Sequence, residues 1–221
     1  MERIKPRTLS GFMELLPAQQ QQMERVMDIL RTTYSRYGFT PLDTPIIEAS
    51  EILLAKGGGE TEKQIYRFTK GDSDLSLRFD LTVPLARYYA NNKEKLPTPF
   101  KAMQLGNVWR ADNPQKGRFR QFTQCDIDIL GDSSPNAEVE LIDVTTRALL
   151  NIGFTGFTVN INDRRILRGM LESMGFAADT LDSVCITFDK MDKIGAEGVK
   201  AELTEKQLPE AVRQTILAKL K

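Results

Sequence analysis

The sequence predicts an α+β fold in which a mainly antiparallel sheet is flanked by helices. Two segments are typical of β-hairpins, one over 65–82 with a turn at Gly71–Asp72 and a longer one over 100–130 with the turn NPQKG. Apolar residues recur at helical spacing on both sides of these hairpins. The order of these elements favours an α+β arrangement.

The composition allows a sizeable core and excludes some kinds of chemistry. The chain has 221 residues, of which 41% are hydrophobic, enough for one large domain or for one domain and part of a second. It contains no histidine, which excludes histidine-based acid–base catalysis and Ser/His triads and removes most transition-metal sites. Cys125 and Cys185 lie far apart without a CxxC pattern, so we expect neither a disulfide framework nor a zinc site.

Charge and hydropathy suggest where the protein works and what it does not bind. Thirty basic residues balance thirty acidic residues, which argues against a protein that binds nucleic acid over its whole surface. Local basic patches are compatible with this balance. The sequence has no long apolar run for a membrane span and no leader with a hydrophobic centre, so we expect a cytoplasmic protein.

The first predicted element is an amphipathic helix over 17–37. Apolar residues recur there at helical spacing: Met23, Met27, Leu30, Tyr34 and Tyr37. Pro17 suits the first turn of a helix, and Gly38 suits the residue after its end. An extended segment follows in FTPLDTPIIEASEIL, where two prolines interrupt the pattern.

The remaining elements follow from local patterns along the chain. We expect a loop over 56–64, a short helix that Thr82 caps with Pro84 near its start, and a helix that ends near Gly153. FTVNIND is typical of a strand, RRILRGMLESMG of a helix, and 184–188 of a short apolar strand within a charged, mostly helical end.

The second strand of the long hairpin, over 118–130, has two different faces, because side chains alternate across a strand. The odd-numbered face is the more apolar, and we expect it to pack on helices. The even-numbered face is polar: Arg118, Arg120, Phe122, Gln124, Asp126 and Asp128. A solvated face with cross-strand ion pairs is the usual interpretation of such a strand.

Two details favour a binding face instead. The arginines, with Arg110 on the preceding strand, cluster at the turn end, and they do not alternate with the acids. Phe122 lies between the two groups, where a flat base could stack between its ring and a guanidinium plane. Arginine also matches the geometry of phosphate oxygens. We therefore expect nucleotide phosphates at one end of this face and a small cationic molecule at the other.

The segment LSLRFDLT predicts a second strand of this kind, in which Arg78, Asp80 and Thr82 share one face. A surface ion pair of Arg78 with Asp80 and a plain cap at Thr82 would also fit the pattern. Asp80 is a further carboxylate that could bind an ammonium group. The glycines 57–59 lack the spacing of a phosphate-binding loop and suggest a mobile lid or a linker.

Four segments carry a resemblance to a known family: NVWRADNPQKGRFRQFTQCDIDILG, LSLRFDLTVPLARYYA, YGFTPLDTPIIE and NINDRRILRGML. The first resembles the second signature motif of class II aminoacyl-tRNA synthetases in its histidyl form. The second is similar to the strand and helix that precede this motif in histidyl-tRNA synthetases. The third resembles the first motif, which builds the dimer interface. The resemblance covers roughly residues 5 to 190 and implies a class II synthetase-like sheet.

The resemblance implies roles for most residues of the polar face and for residues on the neighbouring strands. Arg110 would contact the ATP α-phosphate and the bound carboxylate and would act in catalysis, and Phe122 would stack on adenine. Arg118 and Arg120 would lie at the phosphate end, with Arg120 supporting the site. The α-ammonium group of histidine would be held by Asp80, Thr82 and Gln124. Asp128 would accept a hydrogen bond from the imidazole.

The activity that the resemblance implies is that of a histidine–tRNA ligase. Histidine would be activated by ATP with Mg²⁺ and transferred to tRNA(His), by a homodimer that needs no metal site of its own. The sequence lacks segments like the third motif, so we expect an amino-terminal fragment with weak or no activity alone. The expected division is a catalytic core over 1–170 and the start of a helical insertion domain over 171–221.

Three alternatives remain open on the sequence. One is a synthetase-like regulatory subunit of ATP phosphoribosyltransferase, which would sense histidine and not activate it. Another is a regulatory module of a kinase that binds uncharged tRNA. The third is a structural dimerisation domain without a ligand.

Overall fold

The computed structural model describes residues 4–55, 60–161, 163–173, 175–176, 178, 180–188 and 190–205. The chain divides into two compact units, Met1–Phe157 and Thr158–Lys221. The expected division at residue 170 concerns the roles of the two parts as well as their packing, and it stays a prediction. Across the described residues, no helix is long and apolar enough to cross a membrane.

The described part of the first unit contains helices and two small sheets. The helices are α1 (Pro17–Arg36), α2 (Ser50–Leu54), α3 (Glu60–Lys63), α4 (Thr82–Asn92) and α5 (Pro135–Ile152), with a 3₁₀ turn at Lys93–Lys95. The strands are β1 (Thr40–Pro41), β2 (Ile47–Ala49), β3 (Arg67–Lys70), β4 (Ser73–Leu77), β5 (Phe100–Trp109) and β6 (Gln121–Leu130). The second unit has the helices α6 (Arg164–Ser173), α7 (Leu181–Phe188) and α8 (Met191–Glu205).

The long hairpin of β5 and β6 dominates the first unit. Its antiparallel register runs from Phe100 opposite Leu130 to Trp109 opposite Gln121, and β1 joins the other side of β5 in parallel. The second sheet has the order β2-β4-β3 and is antiparallel throughout. The predicted α+β fold, with a mainly antiparallel sheet flanked by helices, is confirmed.

The odd-numbered face of β6 packs on helices, as predicted. Cys125, Ile127 and Ile129 lie against a buried cluster from α1, β5, α5 and the segment after α1: Tyr34, Phe39, Met103, Val144 and Ala148. Burial raises the pKa of the Cys125 thiol to about 11, as expected for a cysteine in apolar surroundings. This packing fixes which face of β6 stays available for polar residues.

Several predicted elements are confirmed with local physical reasons. Helix α1 begins at Pro17, where the missing N–H costs nothing, and the N–H of Leu16 donates to Gln19 Oε1 at 3.0 Å. The β3–β4 hairpin turns at Gly71, which has a φ of +60°. Helix α5 ends at Gly153, whose φ of +110° is the left-handed conformation of a helix C-cap.

Two predictions on the segments before the first hairpin need correction. The end of the segment expected to be extended forms helix α2, since the buried Ser50 hydroxyl bonds Asp74 and Ser76 and Leu53 is buried. Part of the expected loop over 56–64 is helical, because α3 spans Glu60–Lys63. The glycines 57–59 lie outside the described residues.

The strand predicted over 118–130 begins only at Gln121. Residues 110–120 form a loop instead, because their backbone groups bond elsewhere: the N–H of Arg120 donates to Gly11 O at 2.7 Å, and that of Arg110 donates to Arg120 O at 2.9 Å. An isolated bridge of Gln115 with Arg118 closes the turn. Arg118 and Arg120 therefore do not belong to the alternating face of β6.

Two strands predicted in the second unit are wrong. The described residues 157–161 and 163 form no strand, and Ile161 is 73% exposed, so it lacks the burial that alternation would give. The apolar run 184–188 belongs to helix α7. Leu181, Val184 and Cys185 are buried at helical spacing in a cluster with residues of α6 and α8. A short apolar run does not distinguish a strand from a buried helix.

Candidate functional site

The segment that leads from β4 into α4 contains a buried arginine. Arg78 is 2% exposed, and its guanidinium donates to the Asp43 carboxylate at 3.0 Å, the Thr44 carbonyl at 2.6 Å and the Asn107 carbonyl at 2.8 Å. A Cβ at Gly106 would lie 2.3 Å from its Nη2 atom, so this approach requires glycine. Arg78 is a structural residue. The prediction that it shares a strand face with Asp80 and Thr82 is wrong, because β4 ends at Leu77.

Asp80, and not Thr82, supplies the capping bond of helix α4. The N–H of Val83 donates to Asp80 Oδ1 at 3.0 Å, and Thr82 is the first helical residue. A carboxylate in this position also suits the positive end of the helix dipole. The predicted cap at Thr82 is therefore wrong, and the exposed Thr82 side chain is left for other contacts.

The register of the long hairpin places the polar residues of β6 on one face with those of β5. Opposed residues in an antiparallel pair share a face of the sheet. Gln124 lies opposite Gly106, Asp126 opposite Gln104, and Asp128 opposite Ala102. The buried guanidinium of Arg78 lies directly above Gly106, and Ala102 is itself buried. We call Gln124, Asp126 and Asp128 the acidic row.

The carboxylates of the acidic row lie in one electrostatic environment with Asp80 and Arg110. Burial raises the pKa of Asp126 above its usual range, and the carboxylates of Asp128 and Asp80 raise it further, while Arg110 opposes them. Burial also raises the pKa of Asp128. Asp126 thus lies within electrostatic reach of Asp80, Asp128 and Arg110. A cation bound there would stabilise the ionised carboxylates.

Two buried side-chain oxygens on this face lack a hydrogen-bond partner. They are Gln104 Oε1 and Gln124 Oε1, among the residues that the structure describes. A buried acceptor without a partner carries a cost in free energy, which a ligand that donates a hydrogen bond would relieve. Gln124 was predicted as a site residue from the sequence.

Arg110 is held at the junction of the acidic row and the turn. Its Nε donates to the Phe79 carbonyl at 3.2 Å, and its guanidinium lies 4.4 Å from the ring centroid of Phe79 and 5.1 Å from that of Phe122. Cation–π contacts of this kind fix a guanidinium without consuming all its donors. Arg110 and Phe122, both predicted site residues, are thus in contact.

Arg118 and Arg120 are bound within the loop 110–120. Arg118 Nε donates to the Asp112 carboxylate at 2.8 Å, and Arg120 donates to the carbonyls of Asp112 at 3.0 Å and Ser10 at 3.4 Å. Gln64 Nε2 bonds the other oxygen of Asp112 at 2.7 Å. The structure therefore does not bring these two arginines into contact with the acidic row.

Three residues that shape the site were missing from the sequence-based set. Asp126 belongs to the same alternating series as Gln124 and Asp128, so its position was visible in the sequence. Gln104 could have been found by pairing the two strands around the NPQKG turn. Asp112, which is 8% exposed, gave no signal, because its burial depends on a side chain 48 residues away.

The fold and the signature hairpin place the chain among the class II aminoacyl-tRNA synthetases. Within that class, a family model described as histidyl-tRNA synthetase matches residues 11–221, and the chain belongs to this family.

Curated relatives and solved structures agree with the family. The chain is 50% identical over 204 residues to histidine–tRNA ligase of Clostridium tetani and 45% identical over 203 residues to that of Rhodopirellula baltica. Each match covers 91% of this chain and 46% of the relative, so the chain spans about half the length of these proteins.

A histidyl-tRNA synthetase from Nostoc sp. PCC 7120 superposes with a TM-score of 0.82 at 32% identity over 98% of this chain and 48% of that one. An ATP phosphoribosyltransferase regulatory subunit/histidyl-tRNA synthetase from Bacillus halodurans C superposes with a TM-score of 0.80 over 97% of this chain and 55% of that one. At 20% identity, this second likeness concerns the fold alone.

Proposed function

We propose that this chain supplies the histidine and ATP contacts of a histidine–tRNA ligase, which forms histidyl-adenylate and transfers histidine to tRNA(His). The observation that carries the proposal is the proximity of unlike groups on this face: Arg110 contacts Phe122, and the charges of Arg110 and Asp80 both act on Asp126 of the acidic row. A guanidinium at one end of a polar face and carboxylates at the other suit a molecule that joins a phosphate to an amino acid.

The amino acid would bind at the acidic row. Asp80, Thr82 and Gln124 would hold the α-ammonium group, and Asp128 would accept a hydrogen bond from the imidazole. Support comes from the buried, partnerless Gln124 Oε1 and from the burial that raises the pKa of Asp128. An ammonium group would supply the missing donor to the first and a positive charge near the second.

The nucleotide would bind at the other end. Arg110 would contact the α-phosphate and the histidine carboxylate, and Phe122 would stack on adenine. Arg118 and Arg120 would border the phosphates, and the carbonyl contacts of Arg120 suit a supporting role. A carboxylate oxygen of histidine would attack the α-phosphorus as the bond to pyrophosphate breaks. That step moves no proton, so it is compatible with a chain without histidine.

Mg²⁺ would neutralise phosphate charge in this reaction. Among the described residues, no three carboxylate or cysteine side chains come together in an arrangement that could hold a metal ion. Mg²⁺ would enter the site with ATP as MgATP, held mainly by phosphate oxygens and water. Further parts of the proposal are a homodimer, a cytoplasmic location, and weak or no aminoacylation by the 221 residues alone.

Calorimetric titrations with L-histidine and with MgATP, each alone, test the proposal. We expect the chain to bind both ligands, and Arg110→Ala to weaken MgATP binding at least tenfold, since a charge-assisted contact to phosphate is lost. Arg67→Ala is the matched control, because Arg67 forms an exposed ion pair with Asp74. Histidine binding without ATP binding would favour a histidine-sensing regulatory protein instead. Binding of neither ligand would contradict the proposal.

A further inference from the structure

Gln104 is a buried residue of β5, and only one of the two polar atoms of its amide group forms a hydrogen bond. It is 2% exposed, and its Nε2 donates to the Leu81 carbonyl at 3.2 Å. Because a carbonyl can only accept, the amide nitrogen must face Leu81, and Oε1 must face away from it. This oxygen is buried and has no partner in the described part of the chain.

The position of Gln104 in the ladder places its side chain next to the acidic row. Gln104 lies opposite Asp126 in the ladder, between the rungs that hold Gln124 and Asp128. Opposed side chains share a face, so Gln104 and the acidic row line the same surface. Amide and ionised carboxylate oxygens on this surface accept hydrogen bonds, so the surface suits a ligand with several donors.

The other bond of Gln104 connects the sheet to the turn that begins α4. Leu81 lies directly between Asp80 and Thr82, and Asp80 caps the helix through the Val83 N–H. Gln104 therefore holds this turn against β5, and its side chain lies on the same face as the acidic row.

We propose that Gln104 is a further amino-acid-binding residue, whose Oε1 accepts a hydrogen bond from the ammonium group of the substrate. This inference rests on the proposed binding of histidine to the acidic row. An ammonium group has three N–H donors, which suits a surface where Gln104, Gln124 and Asp80 each offer an acceptor. The geometry assigns to Gln104 a part in selecting ligands with a primary ammonium group.

Calorimetry with three ligands tests the assignment: L-histidine, histidinol, which keeps the ammonium and imidazole groups, and imidazolepropionate, which lacks the ammonium group. We expect Gln104→Met to lower the affinity for histidine and for histidinol about tenfold to a hundredfold, since a hydrogen bond to a charged group is lost. Imidazolepropionate should bind the variant and the wild type equally.

A second variant separates the acceptor from the tether to Leu81. Gln104→Glu keeps an acceptor oxygen in either protonation state, so histidinol should bind it within a few-fold of the wild type. The matched control is Gln121→Met, because Gln121 lies on the opposite face of the hairpin and accepts from Trp109 Nε1 at 3.1 Å. We expect this control to leave the binding of all three ligands unchanged.

The results that would overturn the assignment differ from those that would overturn the proposed function. Histidinol binding that Gln104→Met leaves unchanged, or weakens as much as imidazolepropionate binding, would overturn the role of Gln104 alone. Loss of histidinol binding in both Gln104 variants would show that Gln104 acts only through its hydrogen bond to Leu81, which holds the turn against β5. A wild-type chain that binds MgATP but neither histidine nor histidinol would overturn the histidine site and, with it, this inference.

Discussion

The two ends of the β5–β6 hairpin differ in how their charged side chains are satisfied. At the turn end, Arg118 pairs with Asp112, and Arg120 bonds backbone carbonyls. At the acidic end, Asp126 and Asp128 form no ion pair among the described residues, and the Gln124 oxygen is buried without a partner. The arginines of the turn end are thus already bonded within the protein, whereas the acidic end keeps polar groups without protein partners among the described residues, which is where we propose that the amino acid binds.

Arg110 lies between these two ends and belongs to neither pattern. Its Nε is bonded to a carbonyl and its plane contacts two aromatic rings. Its electrostatic influence reaches Asp126 in the acidic row. A cation held in this way keeps a defined position before any ligand binds, which is the condition for stabilising charge in a transition state.

The largest effect is expected at the acidic end. Gln124→Met should lower histidine affinity about tenfold to a hundredfold, because a hydrogen bond to the ammonium group is lost. The variant should be as stable as the wild type or more stable, because it removes a buried oxygen that has no partner among the described residues. Calorimetry and urea unfolding measure the two quantities. A loss of stability without a loss of affinity would show that Gln124 supports the fold and does not bind the ligand.

At the turn end we expect an effect of intermediate size, on stability and not on ligand affinity. Asp112→Ala should lower the free energy of unfolding by about 2 kcal/mol, because Gln64 and Arg118 lose their acceptor. Histidine affinity should not change. Urea unfolding with Asp72→Ala as control checks this, since Asp72 is exposed in the β3–β4 turn. Wild-type stability in Asp112→Ala would show that the network does not hold the loop.

The smallest effect concerns the pH dependence of stability. Because the folded-state pKa of Asp126 is raised by burial and nearby carboxylates, the unfolded chain releases this proton first as pH rises. Stability should therefore fall from about pH 4, near the unfolded-state pKa, until the raised folded-state pKa is passed.

Asp126→Asn isolates this contribution. The variant should have a flatter profile of unfolding free energy against pH and should be more stable than the wild type at neutral pH. Thermal unfolding in a series of buffers measures both. A steeper profile in the variant would mean that Asp126 is stabilised as a carboxylate in the folded chain.

The sequence predicts the acidic row well because the information is local. Alternation along one strand is enough to place Gln124 and Asp128 on a polar face and Cys125 and Ile127 on a buried one. The hairpin and helix α5 are also visible locally, through the NPQKG turn and the glycine that ends the helix.

The remaining features depend on contacts between distant segments. Arg78 is buried because Gly106, on another strand, has no side chain. The loop 110–120 leaves the sheet because Arg120 bonds Gly11, near the start of the chain. The apolar run in α7 is locally typical of a strand, and its helical conformation is stabilised by packing against α6 and α8. No local pattern contains these partners, so the burial of Arg78 and the start of β6 could not be predicted.

A crystal structure of the chain with histidinol and MgATP would show whether one face of the β5–β6 hairpin binds both ligands. We expect the ammonium group within hydrogen-bond distance of Gln124, the imidazole beside Asp128 and the α-phosphate beside Arg110, all on one face of the β5–β6 hairpin. Nucleotide or histidinol bound on another surface, with Arg110 and the acidic row left without ligand, would show that this face is not the binding site.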